Sequence, residues 1–440
     1  MKSSVPLLLL VFLFSIPVFV FPQAQKDSVL QNGSLQNCIA FALAHQPSVQ
    51  QSLLDQEITE KEIQSKLSDW YPQINFNLTF QHNTELPTSI IQGNPVKFGL
   101  NNTSSGQFSL TQAIFNKDVL LASRTSDAVR EQAKQFIEKL KIDLVVNVSK
   151  TFYSVLLSRE QVKLLDEDIS RLQRSYEDAL NQYKSGIVDK TDYKRASISL
   201  NNAKAAKKQN EELLNTRIAY LKELMGYPSS AELKLEYDTT RMEEEAFIDT
   251  SITLNYQNRV EYRLLQTQQD LQEANLNYYK WSFIPSLSAF GNYNLNFMNN
   301  DFQKLYNKNY PSSYFGLQLS WPIFQGGKRI QQIQQADLEL DRTALDLIAL
   351  RNSINTEFIQ ALSNYKSSLN NYNAQKENMA LAKEVFNTIE LQYKSGIKTY
   401  LELITSETDL RTTEINYLDA LYQLLSSKLD VQKAVGVIKY

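Results

Sequence analysis

Sulfur, imidazole and sharp-turn residues are all scarce in this chain, and each scarcity removes a class of function. Cys38 is the one cysteine, so no internal disulfide framework can form. It lies among Leu35, Ile39, Ala40 and Phe41 and reads as a small packing residue. Only His45 and His82 carry imidazoles, the first on a short predicted helix and the second in a predicted loop, which leaves no histidine set for a metal or a catalytic triad. Gly326-Gly327-Lys328 lacks the glycine spacing of a phosphate loop and reads as a strand-to-helix breaker. No paired-carboxylate or thiol nucleophile signature stands out, so neither an enzyme nor a resident cofactor is expected. Net charge is −3 with both signs interspersed, which excludes the basic stripe that nucleic acid requires. With 12 glycines and 11 prolines in 440 residues, long uninterrupted helices are favoured over a loop-rich fold.

Long apolar runs are also missing after the N-terminus. Met1-Lys2, the apolar stretch Val5–Phe21 and Ala24 form a secretory signal peptide over residues 1–24. Cys38 lies too far behind that stretch to be an acylated lipoprotein cysteine. No later segment reaches about 18 unbroken apolar residues, so any membrane crossing beyond the leader must use strands.

The chain contains a tandem duplication. Gln182–Ile187 (QYKSGI) recurs as Gln392–Ile397, an offset of 210. Leu43–Val49 matches Leu254–Val260, Tyr71-Pro72 matches Ile284-Pro285, Ile114-Phe115 matches Ile323-Phe324, and Met225-Gly226 matches Val435-Gly436. Five matches in register define a unit of about 210 residues. The first repeat spans 25–226, with a strand pair at 72–114 and coiled-coil helices at 117–226. The second spans 252–440, with a strand pair at 285–322 and helices at 327–435.

In the strand pairs, Ile74, Phe76, Leu78 and Phe80 alternate with Asn75, Asn77 and Thr79, and Leu287, Ala289, Tyr293, Leu295 and Phe297 alternate with serines and asparagines. The return strands follow the same rule: Phe108 and Leu110 against Ser109 and Thr111, and Phe315, Leu317 and Leu319 against Gln318 and Ser320. One apolar and one Asn/Ser-rich face over about ten residues suits a tilted membrane strand with a wet side. Trp70, Tyr71, Trp281, Trp321 and Phe324 cluster at one end, where an aromatic girdle belongs. The loop after the first strand, with Pro87, Gly93, Pro95 and Gly99, is expected to be irregular.

Proline-free helices then run from about Lys117 to Gln182 and from about Gly327 to Gln392, each roughly 100 Å long at 1.5 Å per residue. Leu165, Ile169, Leu172, Tyr176, Ala179 and Tyr183 fall into heptads, as do Met379, Ala382, Phe386, Ile389 and Tyr393, so each helix packs on a returning partner. Gly186 and Gly396 end the long helices, and Thr399 with Glu402 forms a capping box for one return, with Asp189 and Asp192 as the weaker counterpart.

Two repeats supply four strands, too few to close a barrel, and an open edge in hydrocarbon leaves backbone groups unsatisfied at several kcal/mol each. Two copies would give eight strands and a filled interior; three give twelve and a pore. The expected fold is therefore mainly α with a transmembrane β-barrel, four strands per protomer shared in a twelve-stranded trimeric barrel.

Over Leu35–Gly436 the chain resembles the TolC-like outer-membrane efflux proteins, through the duplication, the strand pairs, the coiled-coil hairpins and the form Tyr-x-x-Gly-x5-Asp/Glu at Tyr183…Gly186…Asp192 and Tyr393…Gly396…Glu402. The resemblance implies a homotrimeric, passive outer-membrane channel with a periplasmic α-barrel. Its implied partners are a periplasmic adaptor (membrane fusion) protein, an inner-membrane transporter and outer-membrane lipid. It places residues 227–251 in an equatorial segment. It assigns adaptor docking to the tips Tyr183, Lys184, Ser185, Gly186 and Ile187 and Tyr393, Lys394, Ser395, Gly396 and Ile397. It also suggests an acidic pore constriction, for which Glu384, Glu390, Glu177 and Asp178 are the candidates, although Asn387 stands where an acid is expected. A periplasmic coiled-coil scaffold or adaptor without a pore is the competing expectation, but it needs no strand pairs of membrane length.

Overall fold

The computed structural model describes residues 30, 32–236 and 239–439; the predicted signal peptide lies outside them. The first half runs α1 (Leu35–His45), α2 (Pro47–Ser68), β1 (Gln73–His82), β2 (Thr88–Ile91), β3 (Asn94–Lys97), β4 (Asn102–Phe115), α3 (Lys117–Lys184) and α4 (Lys190–Met225). After α5 (Thr239–Glu245), the second half runs α6 (Val260–Lys280), β5 (Ser286–Asn299), β6 (Ser312–Ser320), α7 (Lys328–Lys394) and α8 (Tyr400–Val435). No helix among the described residues is long and apolar enough to cross a membrane.

Local chemistry sets the helix ends. The Asn116 side chain accepts from the Asp118 amide at 2.7 Å to open α3, and Asp189 accepts from the Thr191 amide at 2.8 Å to open α4. Thr399 and Glu402 form the reciprocal box at α8, with bonds of 3.3 and 2.9 Å. The long helices stop at Gly186 and Gly396, both at φ 73. Gly327, at φ 82, is the break before α7.

The four long strands form one antiparallel sheet in the order β1-β4-β5-β6, leaving β1 and β6 as unpaired edges. The helices continue the strands in the same order, for α3 packs on α2 and α6, and α6 packs on α7. Farther from the sheet the row becomes α4, α3, α8, α7. The chain is thus one long ribbon with two open sides. Exposed apolar side chains concentrate on the flanking helices: Ile58 on α2 is 55% exposed, Ile198 on α4 60%, and Leu338 and Leu345 on α7 68% and 65%.

The main core sits at mid-length of α3 and α7, where α1, α4 and α8 also end. Val148, Val155, Leu221, Leu421, Leu424 and Val431 are buried there. Residues 243–248 lie against it: the Tyr365 hydroxyl donates to the Ala246 carbonyl at 3.2 Å and accepts from the Ile248 amide at 3.0 Å, and Tyr372 donates to Glu243 at 3.0 Å. Cys38 is fully buried in the same core, and burial pushes its thiol up to about 12.

Two expectations need correction. His82 is the last residue of β1 rather than a loop residue, with Nδ1 2.7 Å from the Asn102 side-chain oxygen. The following segment is not irregular: β2 and β3 pair as a hairpin around Gln92-Gly93, both at positive φ (50 and 86). That two-residue turn matches the twist of its strands, and Pro95 is tolerated because the hairpin is only two strands wide. His45, as expected, is on α1, stacked on Phe41 with ring centroids 4.0 Å apart.

The returning helices end in corresponding ways. A Cβ at Gly226 would lie 2.6 Å from the His45 carbonyl oxygen, and one at Gly436 2.4 Å from that of Asn258. At Gly396 nothing lies within 4 Å. Gly396 and Gly436 share φ 73, so alanine pays the same left-handed penalty at both, about 1 kcal/mol. Gly396→Ala should cost little more than that. Gly436→Ala should cost a further 1–3 kcal/mol, roughly, as the backbone contact is forced apart. Thermal unfolding of the two variants side by side checks this; equal losses would mean the contact relaxes freely.

Candidate functional site

The sheet sorts its residues by face, and register settles which belongs where. On one face Ile74, Leu110, Gly291 and Phe315 form a row, followed by Phe76, Phe108, Tyr293 and Ser313. This face is bare: Phe315 is 93% exposed, Ile74 70% and Leu317 69%. The other face has Asn75, Ser109, Asn292 and Tyr314 in one row and Asn77, Gln107, Asn294 and Ser312 in the next. Its side chains bond to one another, with Ser105 Oγ donating to Asn296 at 2.9 Å and Gln107 Nε2 to Asn292 at 3.2 Å. An apolar face open to its surroundings backed by a polar, hydrogen-bonding face is the division a membrane barrel requires.

The helix-proximal rim joins aromatic rings to cations. Arg329 lies over Phe283 at 4.6 Å, Arg124 over Trp281 at 4.8 Å and Lys117 over Tyr278 at 4.1 Å. Trp321 Nε1 donates to the Phe283 carbonyl at 3.2 Å. Tyr71, Trp321 and Phe324 project from this rim as the girdle pattern anticipates, 68%, 59% and 86% exposed.

At the far end of the helices the two repeated tips close their last turns alike, while the repeated tyrosine finds a ring at a different position in each. Tyr183 rests near Tyr193 (5.0 Å between centroids) and Tyr393 near Tyr400 (6.0 Å). Ser185 and Ser395 donate to the Asn181 and Leu391 carbonyls at 2.9 and 3.0 Å, closing the last turns. Lys184, Gly186, Lys394 and Gly396 are exposed, and Ile187 and Ile397 are the outermost apolar groups, each 73% exposed. The candidate acids are distributed along α3 and α7 with local partners. Glu390 pairs with Lys394 at 2.8 Å, and Glu177 accepts from Gln173 at 2.8 Å, while Glu384 and Asp178 are exposed.

A charged cluster buried in the seam between α3 and α8 went unrecognised in the sequence. Arg171 lies 3.4 Å from both Asp168 and Glu407, and Arg411 lies 3.0 Å from Asp168. The Asp168 and Glu407 side chains are only 1% and 3% exposed. The Arg171 guanidinium also faces the Phe386 ring of α7 at 5.9 Å, so three helices meet here. The sequence did hold a signal: Glu407 stands between Leu403 and Leu410 at heptad spacing where an apolar residue belongs, and Asp168 adjoins the heptad residue Ile169. Burial, and secondarily the Asp168 charge, push the Glu407 carboxyl up to about 7 against the pull of Arg171 and Arg411.

Comparison with known proteins agrees with this geometry. A sequence profile of the family described as "Outer membrane efflux protein" matches residues 39–227 and 256–437. Outer membrane protein TolC of Escherichia coli is 20% identical, with 94% of this chain and 84% of that one covered. The cation efflux system protein CusC of the same species is 21% identical, covering 92% and 87%. The fold superimposes on a crystal structure of CusC with a TM-score of 0.74 at 17% identity, covering 95% of each chain. For the outer membrane protein VceC of Vibrio cholerae the TM-score is 0.72 at 12% identity, covering 91% of this chain and 96% of that one.

The buried seam sets a pH dependence. Glu407 binds its proton more tightly folded than unfolded, so its stabilising contribution is complete below the ordinary carboxylate range and is lost as pH rises through about 7. Glu414, raised mainly by burial, acts in the same direction. Glu407→Gln should therefore melt with the parent protein at pH 5, melt at or above it at pH 8, and show a flatter profile between. Circular dichroism melts in detergent read this directly. A variant weaker at both pH values would mean that Arg171 needs a charged partner.

Proposed function

We propose, from the premise that the chain belongs to the outer membrane efflux protein family, that three copies close edge to edge into a passive export duct. The observation that carries this is the ribbon with two open sides. The β1 and β6 edges, and the exposed apolar side chains of α2, α4 and α7, all lie where a neighbouring copy would cover them. Three copies of the four-stranded sheet make a barrel of about twelve strands, wide enough for a water-filled lumen.

In this reading the apolar face meets outer-membrane lipid, the polar face lines the lumen, and the helices continue the wall into the periplasm. The leader over 1–24 delivers the chain there, and the tips at 183–187 and 393–397 dock a periplasmic adaptor coupled to an inner-membrane transporter. Glu384 and Glu390, with Glu177 and Asp178, stand near the narrow end as candidate constriction groups. The duct performs no chemistry; energy comes from its partners. A pore-free scaffold is disfavoured, since it would leave Phe315 and its neighbours bare in water.

Purified protein should have the mass of three protomers by light scattering in detergent and should conduct ions in planar bilayers. A folded monomer without conductance would sink the duct. At the tip, proline cannot adopt the φ of 73 found at Gly396. Gly396→Pro should abolish export in a complementation assay while trimers still assemble, and undiminished export would remove the docking role from this tip.

A further inference from the structure

The polar face of the sheet departs from its own rule in one place. Along β5 and β6 its rows place Phe290 opposite Gly316, Asn292 opposite Tyr314, and Asn294 opposite Ser312. The register continues beyond β6, for the Tyr310 amide donates to the Asn296 carbonyl at 2.7 Å, which brings Tyr310 onto the same side. The tip of the Phe290 ring reaches over Gly316, where a Cβ would be 2.9 Å from it, and the ring makes a T-shaped contact with Tyr314, centroids 6.3 Å apart. Tyr314 remains 52% exposed and Tyr310 42%. Three rings therefore stand on a surface otherwise made mostly of Asn, Gln, Ser and Thr, with Met298 in the row of Gln81 and Thr103.

No formal charge occurs on this face within the four strands, whose inward positions run through Asn75 and Thr79, Ser105 and Gln107, and Asn292 and Asn294 to Gln318. The negative faces of the rings are then the strongest local attraction for a cation. The protein already uses one of them: the Lys308 ammonium lies 4.9 Å from the centroid of Tyr310. The Tyr314 ring, with Phe290 at its edge, has no such internal cation among the described residues.

We propose that Phe290 and Tyr314 form a binding site in the barrel lumen for cargo that is both aromatic and cationic. The inference rests on the duct reading, which makes this face the lumen. Glycine at 316 has a place in it, because a side chain there would displace Phe290 from beneath the incoming ligand. Weak stacking on an exposed ring suits a passing cargo, which must be released as readily as it is held.

Fluorine NMR of trimers carrying 3-fluorotyrosine tests this, with Tyr314 assigned by Tyr314→Phe and the probe phenyltrimethylammonium. The Tyr314 resonance should shift and saturate at concentrations on the order of millimolar, while Tyr293 on the lipid face stays still. Phe290→Leu should raise the half-saturating concentration about fivefold without moving Tyr293. Benzenesulfonate, equally aromatic but anionic, should leave Tyr314 unshifted. A still Tyr314, equal shifts at Tyr314 and Tyr293, or an equal response to benzenesulfonate would overturn the site while leaving the duct intact. Broadening of Tyr314 by a lipid-soluble paramagnet but not by a water-soluble one would remove the lumen assignment, and the site with it.

Discussion

Backbone amides and carbonyls in hydrocarbon have no solvent to fall back on, and that constraint governs the molecule. A four-stranded sheet satisfies its interior and leaves two rows of groups unpaired, on β1 and β6. Everything beyond the sheet follows the same line. Because each long strand runs into a helix and the helices keep the strand order, the sides that are open in the sheet stay open along the helical wall. The polypeptide is held together at its waist, where a close-packed leucine core forms and tyrosine hydroxyls pin residues 243–248 to α7. Its margins are left for neighbours.

Duplication explains how a single chain reaches this length without a globular centre. Each half supplies a strand pair, a long helix and its return, and the two halves end alike, with a left-handed glycine pressed on the backbone just ahead of α2 in one half and of α6 in the other. The tips repeat each other down to the serine that closes the last turn. The seam between α3 and α8 is where the long helices of the two halves meet. Its buried ion cluster joins an acid and arginine of the first repeat to an acid and arginine of the second. Such a cluster is costly to bury and orients the helices strictly, since displacing one partner strands another.

Much of this was legible in the residues. Period-two alternation assigned both sheet faces, because a shift of one residue would have put Phe76 with the asparagines. Proline-free heptads and glycine stops bounded the long helices within two or three residues. What escaped had identifiable physical causes. The β2–β3 hairpin was hidden by Pro95 and by strands of only four residues, below the length at which alternation is visible. His82 looked like a loop residue because the polar run after it masks the strand end. Asp168 beside Ile169 and Glu407 between Leu403 and Leu410 look like solvated charges, and only the packed structure discloses that they lie buried against Arg171 and Arg411.

The two strand pairs also differ in what they hold inward. Counting from Pro72 and Pro285, Asn77 stands where Phe290 does; counting back from Phe115 and Phe324, Ser105 stands where Tyr314 does. A closed ring of three chains would have a backbone that nearly repeats six times, yet its inner chemistry would repeat only three. Gene doubling thus supplied a spare copy of the sheet's polar face, free to acquire rings in one half of the chain while the other half stayed plain. Stoichiometry in the lumen would count chains, and the curvature of the wall would count repeats.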